Sequence, residues 1–316
     1  VVRINEQKGV VLLLVIWVLA ILMSIVLSLS YMTKTDLAST LLFKRGMVDK
    51  YIAEAGIERA VVELLYRVKN LGDKEKKVWQ VDGTPYRSNL NEGNYIIKIM
   101  DESGMIDINT APEIILRNLF GTMEIDERNA DIIVDSILDW RDPDELHRLS
   151  GAESSYYMSL PNPYKAKNGR FDTVEELLLV RGITHEILYG NVKGTPLINL
   201  FTVNSRSGRI NLKAAPAKVI SALPGISPEA AEEIVSIRKS RDLKSLKDIP
   251  GIHPGAYRTL SPYISFGGTD IFTVESAGYM EGRGEGYSIR ATVKVDGGED
   301  VSYIYYKSPA TGRSWQ

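Results

Sequence analysis

Five carboxylates, Asp139, Asp142, Asp144, Glu145 and Glu153, crowd into one short stretch that also holds Pro143 and Gly151. The stretch continues to Asn168 as DPDELHRLSGAESSYYMSLPNPYKAKN, a composition that reads as irregular loop. Clustered oxygens on such a loop are what a hard cation such as calcium takes as ligands. The spacing is not that of an EF-hand, and taken alone it fits a solvated acidic loop better than a metal cage. Asp142, Asp144 and Glu153 lead as candidate ligands. The rest of the sequence offers little other chemistry. There is no cysteine, so disulfides, thiol catalysis and thiolate metal sites are excluded. The three histidines, His147, His185 and His253, fall in separate segments, and none has a histidine at helical ligand spacing. No nucleophile with a neighbouring base can be named, and the chain reads as a non-enzyme.

A second constellation is made of glycine turns. Ile106-Asp-Ile-Asn-Thr-Ala-Pro112 is echoed by Ile210-Asn-Leu-Lys-Ala-Ala-Pro216. Each is followed by a hydrophobic turn, Leu119-Phe120-Gly121 or Leu223-Pro224-Gly225, and by a helical pattern with Ile133-Val134 or Ile234-Val235. Each then closes on a second turn, at Gly182 or Gly251. Self-similarity on this scale marks a repeated supersecondary unit, here helix, glycine turn, helix. Thr110 and Glu113 have the spacing of a capping box, with Pro112 in the first turn. Turns of this type can aim backbone N–H groups at a phosphate, which makes a membrane-anchored DNA receptor of the competence type the alternative function. Two features oppose it. The second glycine of the phosphate-binding form is replaced by Ser227, Thr184 and His253. Residues 101–200 hold 18 acidic and 9 basic side chains, whereas residues 201–266 hold 10 basic and 5 acidic. Only the second unit, through Arg238, Lys239, Arg241, Lys244 and Lys247, offers a basic patch. Nucleic acid is therefore not the expected partner.

These segments are positioned by a long helix and a set of strands. Val10 to Leu29 is apolar apart from Ser24 and Ser28, and at about 1.5 Å per residue it spans about 30 Å, the thickness of a bilayer core. Flanking charges, Arg3 and Lys8 before it and Lys34, Asp36, Lys44 and Arg45 after it, leave the orientation open. From Val48 to Val68 the apolar residues recur at three- and four-residue steps, so the helix continues as an amphipathic one. Tyr95 to Met100, Asp270 to Glu275, Tyr287 to Val295 and Val301 to Lys307 have strand character. They flank the duplicated units on both sides. One antiparallel sheet packed on the amphipathic helix, with a helical domain inserted after its early strands, is the economical topology.

Residues Lys8-Gly9-Val10 followed by VLLLVIWVLAIL resemble a prepilin leader. The resemblance implies that a prepilin peptidase cuts after Gly9 and methylates Val10. Most pilins carry glutamate at the fifth mature position, which here is Leu14. A carboxylate in the bilayer is costly unless it is paired, and a subunit first in a filament has no partner to offer it. The missing glutamate, the duplicated insert and the segments DWRDPDELHRLSGAE and PYKAKNGRFDTVEEL resemble the K component of the type II (general) secretion pathway, a minor pseudopilin family. That resemblance implies an α+β pilin-like fold with a large inserted α-helical domain of two helix-hairpin-helix-like repeats. Its parts are a leader at 1–9, a transmembrane half-helix at 10–33 and an amphipathic helix with the first strands at 34–104. The inserted domain follows at 105–268, with repeats at about 106–198 and 210–264, and the last strands at 269–316. It also implies a structural role at the tip of a pseudopilus, needed for export across the outer membrane. Other minor pseudopilins are implied as partners through the N-terminal helix, together with a single-pass location in the inner membrane, the C-terminal domain in the periplasm, and calcium as a bound ion.

Overall fold

In the computed structural model of the chain, residues 5–70, 78–90, 93–123, 125–190, 195–249, 252, 255–280 and 286–310 are described. Gly251, a predicted hairpin turn, lies outside them. Helix α1 runs Asn5–Asn70, 66 residues without a break, so the apolar run and the amphipathic segment are one rod of about 100 Å. Every side chain from Gly9 to Arg45 is exposed, Leu14 included. Beyond Asp49 the helix turns one stripe, Ile52, Ala53, Ile57, Ala60 and Leu64, onto a sheet. The buried stripe is set one position away from part of the expected one. Val68 is exposed and Val61 only half-buried, while Ala53, Gly56 and Ile57 make the close contact.

Two strands follow, β1 (Asp82–Leu90) and β2 (Gly93–Asp101), and three more end the chain: β7 (Ile271–Met280), β8 (Tyr287–Asp296) and β9 (Asp300–Lys307). Together they form one antiparallel sheet in the order β1-β2-β7-β8-β9. Period-two alternation sorts their side chains. Phe272, Val274, Ile289, Ala291, Val293 and Val295 pack toward α1. Thr273, Arg290 and Thr292 face the other way, toward the inserted domain, where the Thr273 hydroxyl donates to Glu102 and Arg290 Nη1 donates to the Ile198 carbonyl at 3.0 Å. The helix approaches β7 closely because Gly56 lies over Ser276 and Gly278 lies under Ala53 and Asp49.

Between β2 and β7 sits the helical domain. The first repeat opens on β3 (Ile106–Asp107) and contains α2 (Glu113–Gly121), α3 (Glu127–Arg141), α4 (Ser154–Tyr157), a 3-10 turn at Val174–Leu179 and α5 (His185–Tyr189). It closes on β4 (Phe201–Thr202), which pairs in parallel with β3. A second repeat opens on β5 (Ile210–Asn211) and contains α6 (Ala217–Ile220), α7 (Pro228–Ser240), a 3-10 turn at Leu246–Asp248 and α8 (Ala256–Leu260). It closes on β6 (Ile264–Ser265), again parallel to its opening strand. Each unit is thus clasped at its base by a two-residue bridge, and one core from Ile106 to Ile264 runs through both.

Three local expectations are corrected. The capping box at Thr110 and Glu113 does not form: Pro112 is the N-cap of α2 and makes no side-chain cap, and the Thr110 hydroxyl has no partner among the described residues. The chain there is instead turned by Asp107, whose backbone carbonyl accepts from the amides of Thr110 and Ala111. Gly121, expected in a hairpin turn, is still within a helix. It is the last residue of α2, and Thr122 after it stays in the right-handed helical region. Finally, Arg238 is no surface cation but a buried one, as described below.

Candidate metal centre

The acidic loop leaves the C-terminus of α3 and is nailed down by aromatic packing. Trp140, at the end of α3, meets Tyr157 edge-on with ring centres 5.2 Å apart, and Tyr164 and Phe171 complete the cluster. Tyr157 is fully buried, and its hydroxyl accepts from the Arg181 amide. Where the loop returns, Asn109 and Phe171 exchange two hydrogen bonds, Nδ2 to the carbonyl at 3.0 Å and the amide to Oδ1 at 2.7 Å. The loop is therefore held in place at both ends, while Pro143 to His147 and Leu149 stay exposed to solvent.

Within it, Asp142, Asp144 and Glu153 each present a carboxylate oxygen, and these lie within 4.8 Å of one another. Glu153 is buried, and neither of its oxygens has a hydrogen-bond partner among the described residues. The same holds for Asp142 Oδ1 and for Asn168 Oδ1. Burial, then the charges of Asp139, Asp142, Glu145 and Asp144, push the Glu153 carboxyl up to about 7. The C-terminal dipole of α3, for which Asp142 is the C-cap, adds negative potential at the same spot. Orphaned buried oxygens of one sign on an ordered loop fit a hard divalent cation, and a donor set made wholly of oxygen fits calcium rather than zinc.

Asp139 and Glu145 add potential at Glu153, but their own oxygens are engaged. Asp139 is buried and accepts from the Arg148 amide and from Arg148 Nη1 at 2.6 Å, while Arg148 also reaches Asp142 Oδ2 at 2.8 Å. Glu145 accepts from Ser154 and from Asn168 Nδ2. Two contributors went unread in the sequence. Arg148 clamps the loop to α3. Asn168 turns the chain at a φ of 48°, and an Asn-Gly pair such as Asn168-Gly169 signals that conformation.

The hairpin turns look less suited to phosphate. Gly182 and Gly225 take φ of 87° and 78°, as their place in the turns requires. Two residues after each, a hydroxyl rather than a second glycine caps the next helix: Thr184 accepts from Ile187 and Ser227 from Ala230. These caps consume N–H groups that a phosphate would need. Of the basic patch, Arg238 is turned inward to the carbonyls of Leu212 and Ala215 and to Asp82, and Arg241 donates to the Asp248 carbonyl. Lys239, Lys244 and Lys247 remain exposed.

Comparison with known proteins agrees with this architecture. The family profile described as "Type II secretion system (T2SS), protein K" matches residues 87–190, and one for the helix-hairpin-helix motif matches residues 205–265. A candidate type II secretion system protein K of Escherichia coli (strain K12) is 27% identical over 197 residues, covering 58% of this chain and 60% of that one. Its counterpart in Pseudomonas aeruginosa is 26% identical over 208 residues, 62% and 60% of the two chains. That of Aeromonas hydrophila is 24% identical over 301 residues, 88% of each. The matches thus span about 60% of the length of the first two relatives. Among solved structures, a chain of the GspK-GspI-GspJ complex from the enterotoxigenic Escherichia coli Type 2 Secretion System superposes with a TM-score of 0.62. It covers 87% of this chain and 100% of that one at 14% identity, a likeness of fold. With the profile over the acidic repeat, relatives of one description and a shared fold, the chain is similar to type II secretion system protein K.

Proposed function

We propose that the chain is a structural minor pseudopilin without catalytic activity, placed at the tip of a short pseudopilus and needed for protein export across the outer membrane. One observation carries this reading: α1 is a single helix whose first part, from Gly9 to Arg45, is exposed throughout and whose second part is packed on the sheet. An apolar rod of that kind is stable in a bilayer or against other apolar helices, and in water it is not. The partners are other minor pseudopilins, by analogy with the GspK-GspI-GspJ complex to which the structural relative belongs. Their N-terminal helices would bury the stripe that α1 leaves open. The helical domain inserted between β2 and β7 is bulk that a further subunit could not stack over. The anchor would sit in the inner membrane with the folded part in the periplasm.

A prepilin peptidase would cut between Gly9 and Val10 and methylate Val10, and Leu14 would spare this subunit an unpaired carboxylate in the membrane. Calcium would be held by Asp142, Asp144 and Glu153, with Asn168 alongside, where its charge neutralises the crowded carboxylates and ties the loop to α3. The test is the intact mass of the protein purified from membranes of a host with an active prepilin peptidase, together with export in a strain lacking the gene. A chain starting at methylated Val10 and an export defect restored by the gene are the expected results. A retained leader with normal export would overturn the reading.

The helix-hairpin-helix match over residues 205–265 favours a DNA receptor as the second reading. Failure of the full chain to bind duplex DNA at low salt would end it.

A further inference from the structure

The second repeat carries a cleft that the pseudopilin reading does not use. It has a volume of about 820 Å³ and lies between the loop leading into the 3-10 turn at Leu246–Asp248 and the segment from α8 to β6. Its rim holds four cations, Arg209, Lys244, Lys247 and Arg258, all exposed, and among the described residues no carboxylate lines it. Its floor is apolar: Leu246 and Ile264 are buried, and the Tyr257 and Phe266 rings are half-buried against the domain core.

The acids of this segment are spent elsewhere. Asp248 turns its carboxylate back to cap the amides of Lys244 and Ser245, and Asp242 pairs with Lys213 at 2.7 Å. Among the described residues, Lys244, Lys247 and Arg258 have no acidic side-chain partner, and Arg209 spends one Nη2 bond on the Ser261 carbonyl. Four uncompensated cations around an apolar floor call for a partner that brings both carboxylates and apolar side chains. A nucleic acid fits less well. Tyr257 and Phe266 already pack on the core, which limits them as stacking platforms. In the same repeat, the N-terminus of α7 is capped by Ser227 and carries Glu229 in its first turn, which repels phosphate.

We propose that this cleft is a docking site for a carboxylate-rich polypeptide segment of a partner protein that also carries aromatic or aliphatic side chains. The full-length chain in detergent is titrated with a labelled peptide of repeating Glu-Glu-Tyr and, separately, with a short labelled DNA duplex. The peptide is expected to bind with an affinity that falls as salt rises. Each of Lys244→Glu, Lys247→Glu and Arg258→Glu should weaken it on the order of tenfold, and Lys247→Arg should not. All of these positions are exposed, and unchanged melting temperatures confirm that the variants fold. Peptide binding indifferent to charge reversal, no peptide binding at low salt, or binding of the duplex in preference to the peptide would each overturn the proposal.

Discussion

Arg238 on α7 donates through Nη2 to Asp82 at the head of β1 across 3.0 Å, and both side chains are buried. The same guanidinium caps the carbonyls of Leu212 and Ala215. Its counterpart in the first repeat, Arg141, caps Ile108 and Ala111, which occupy the matching places in the duplicated Ile-x-x-x-x-Ala-Pro segment. Each repeat thus uses an arginine near the end of its long helix to hold its opening turn. Of these two arginines, Arg238 alone adds an ion pair to the sheet among the described residues, while the first repeat is tied to β9 through Lys307 and Glu175 at 3.3 Å.

Breaking that pair from one side leaves a buried charge alone. Arg238→Met is expected to cost about 3–5 kcal/mol of stability. The double variant Arg238→Met with Asp82→Leu should recover much of the loss, because it removes both charges. Denaturant unfolding of the four proteins of this cycle measures it.

Two glycines at the crossing of α1 and β7 make opposite predictions. A methyl at Gly278 meets backbone, the Ala53 amide and the Asp49 carbonyl, which cannot move without shifting the helix. A methyl at Gly56 meets the Ser276 hydroxyl, the end of a side chain that can rotate and that has no hydrogen bond to lose among the described residues. Gly278→Ala should therefore destabilise by about 1–3 kcal/mol or more. Gly56→Ala should be close to neutral, since alanine recovers about 1 kcal/mol of helix propensity. Thermal melts in detergent separate the two.

The long helix, the four alternating strands and the duplicated units were legible because each has a strong period or a repeated string. Strand β1 was not. Its residues Asp82 to Leu90 are mostly polar, include Pro85, and lie at the sheet edge with a register shift, so they show no alternation to read. The bridges Ile106–Asp107 with Phe201–Thr202, and Ile210–Asn211 with Ile264–Ser265, are two residues long and set no period. Matching Gly121 to Gly225 misaligned the repeats. The arginines show the register: Ile137-Leu138 before Arg141 answers to Ile234-Val235 before Arg238. At the acidic loop the carboxylates were visible as a cluster. Which of them are orphaned depends on where Arg148 and Ser154 donate, and only the folded loop decides that.

Ser227 tests the hairpin. Its hydroxyl accepts from Ala230 at 3.2 Å at the start of α7. Ser227→Ala should cost about 1 kcal/mol, whereas Ser227→Gly should cost only a few tenths. The glycine variant also restores the pattern of a phosphate-binding turn. Acquisition of duplex binding by Ser227→Gly, read at low salt against the parent protein, would show that the cap alone withholds the turn from DNA. No gain is expected, because Arg238 stays committed to Asp82.

Glu153 separates a metal centre from an acidic loop. Its ordinary value is 4.5 and the fold raises it to about 7. A carboxyl held above its unfolded value stabilises the fold while protonated, so this contribution is present below about pH 4.5 and lost as pH rises through about 7. In chelator, the melting temperature is expected to fall across that window. Calcium at a hundred times its dissociation constant should add about 2.7 kcal/mol at neutral pH, where the carboxylates are charged. Glu153→Gln should abolish the calcium response and, in chelator at neutral pH, melt no lower than the parent, because it deletes the buried charge rather than a bond. Parent protein whose melting ignores both calcium and chelator at pH 7 would leave the three carboxylates without a cation to hold.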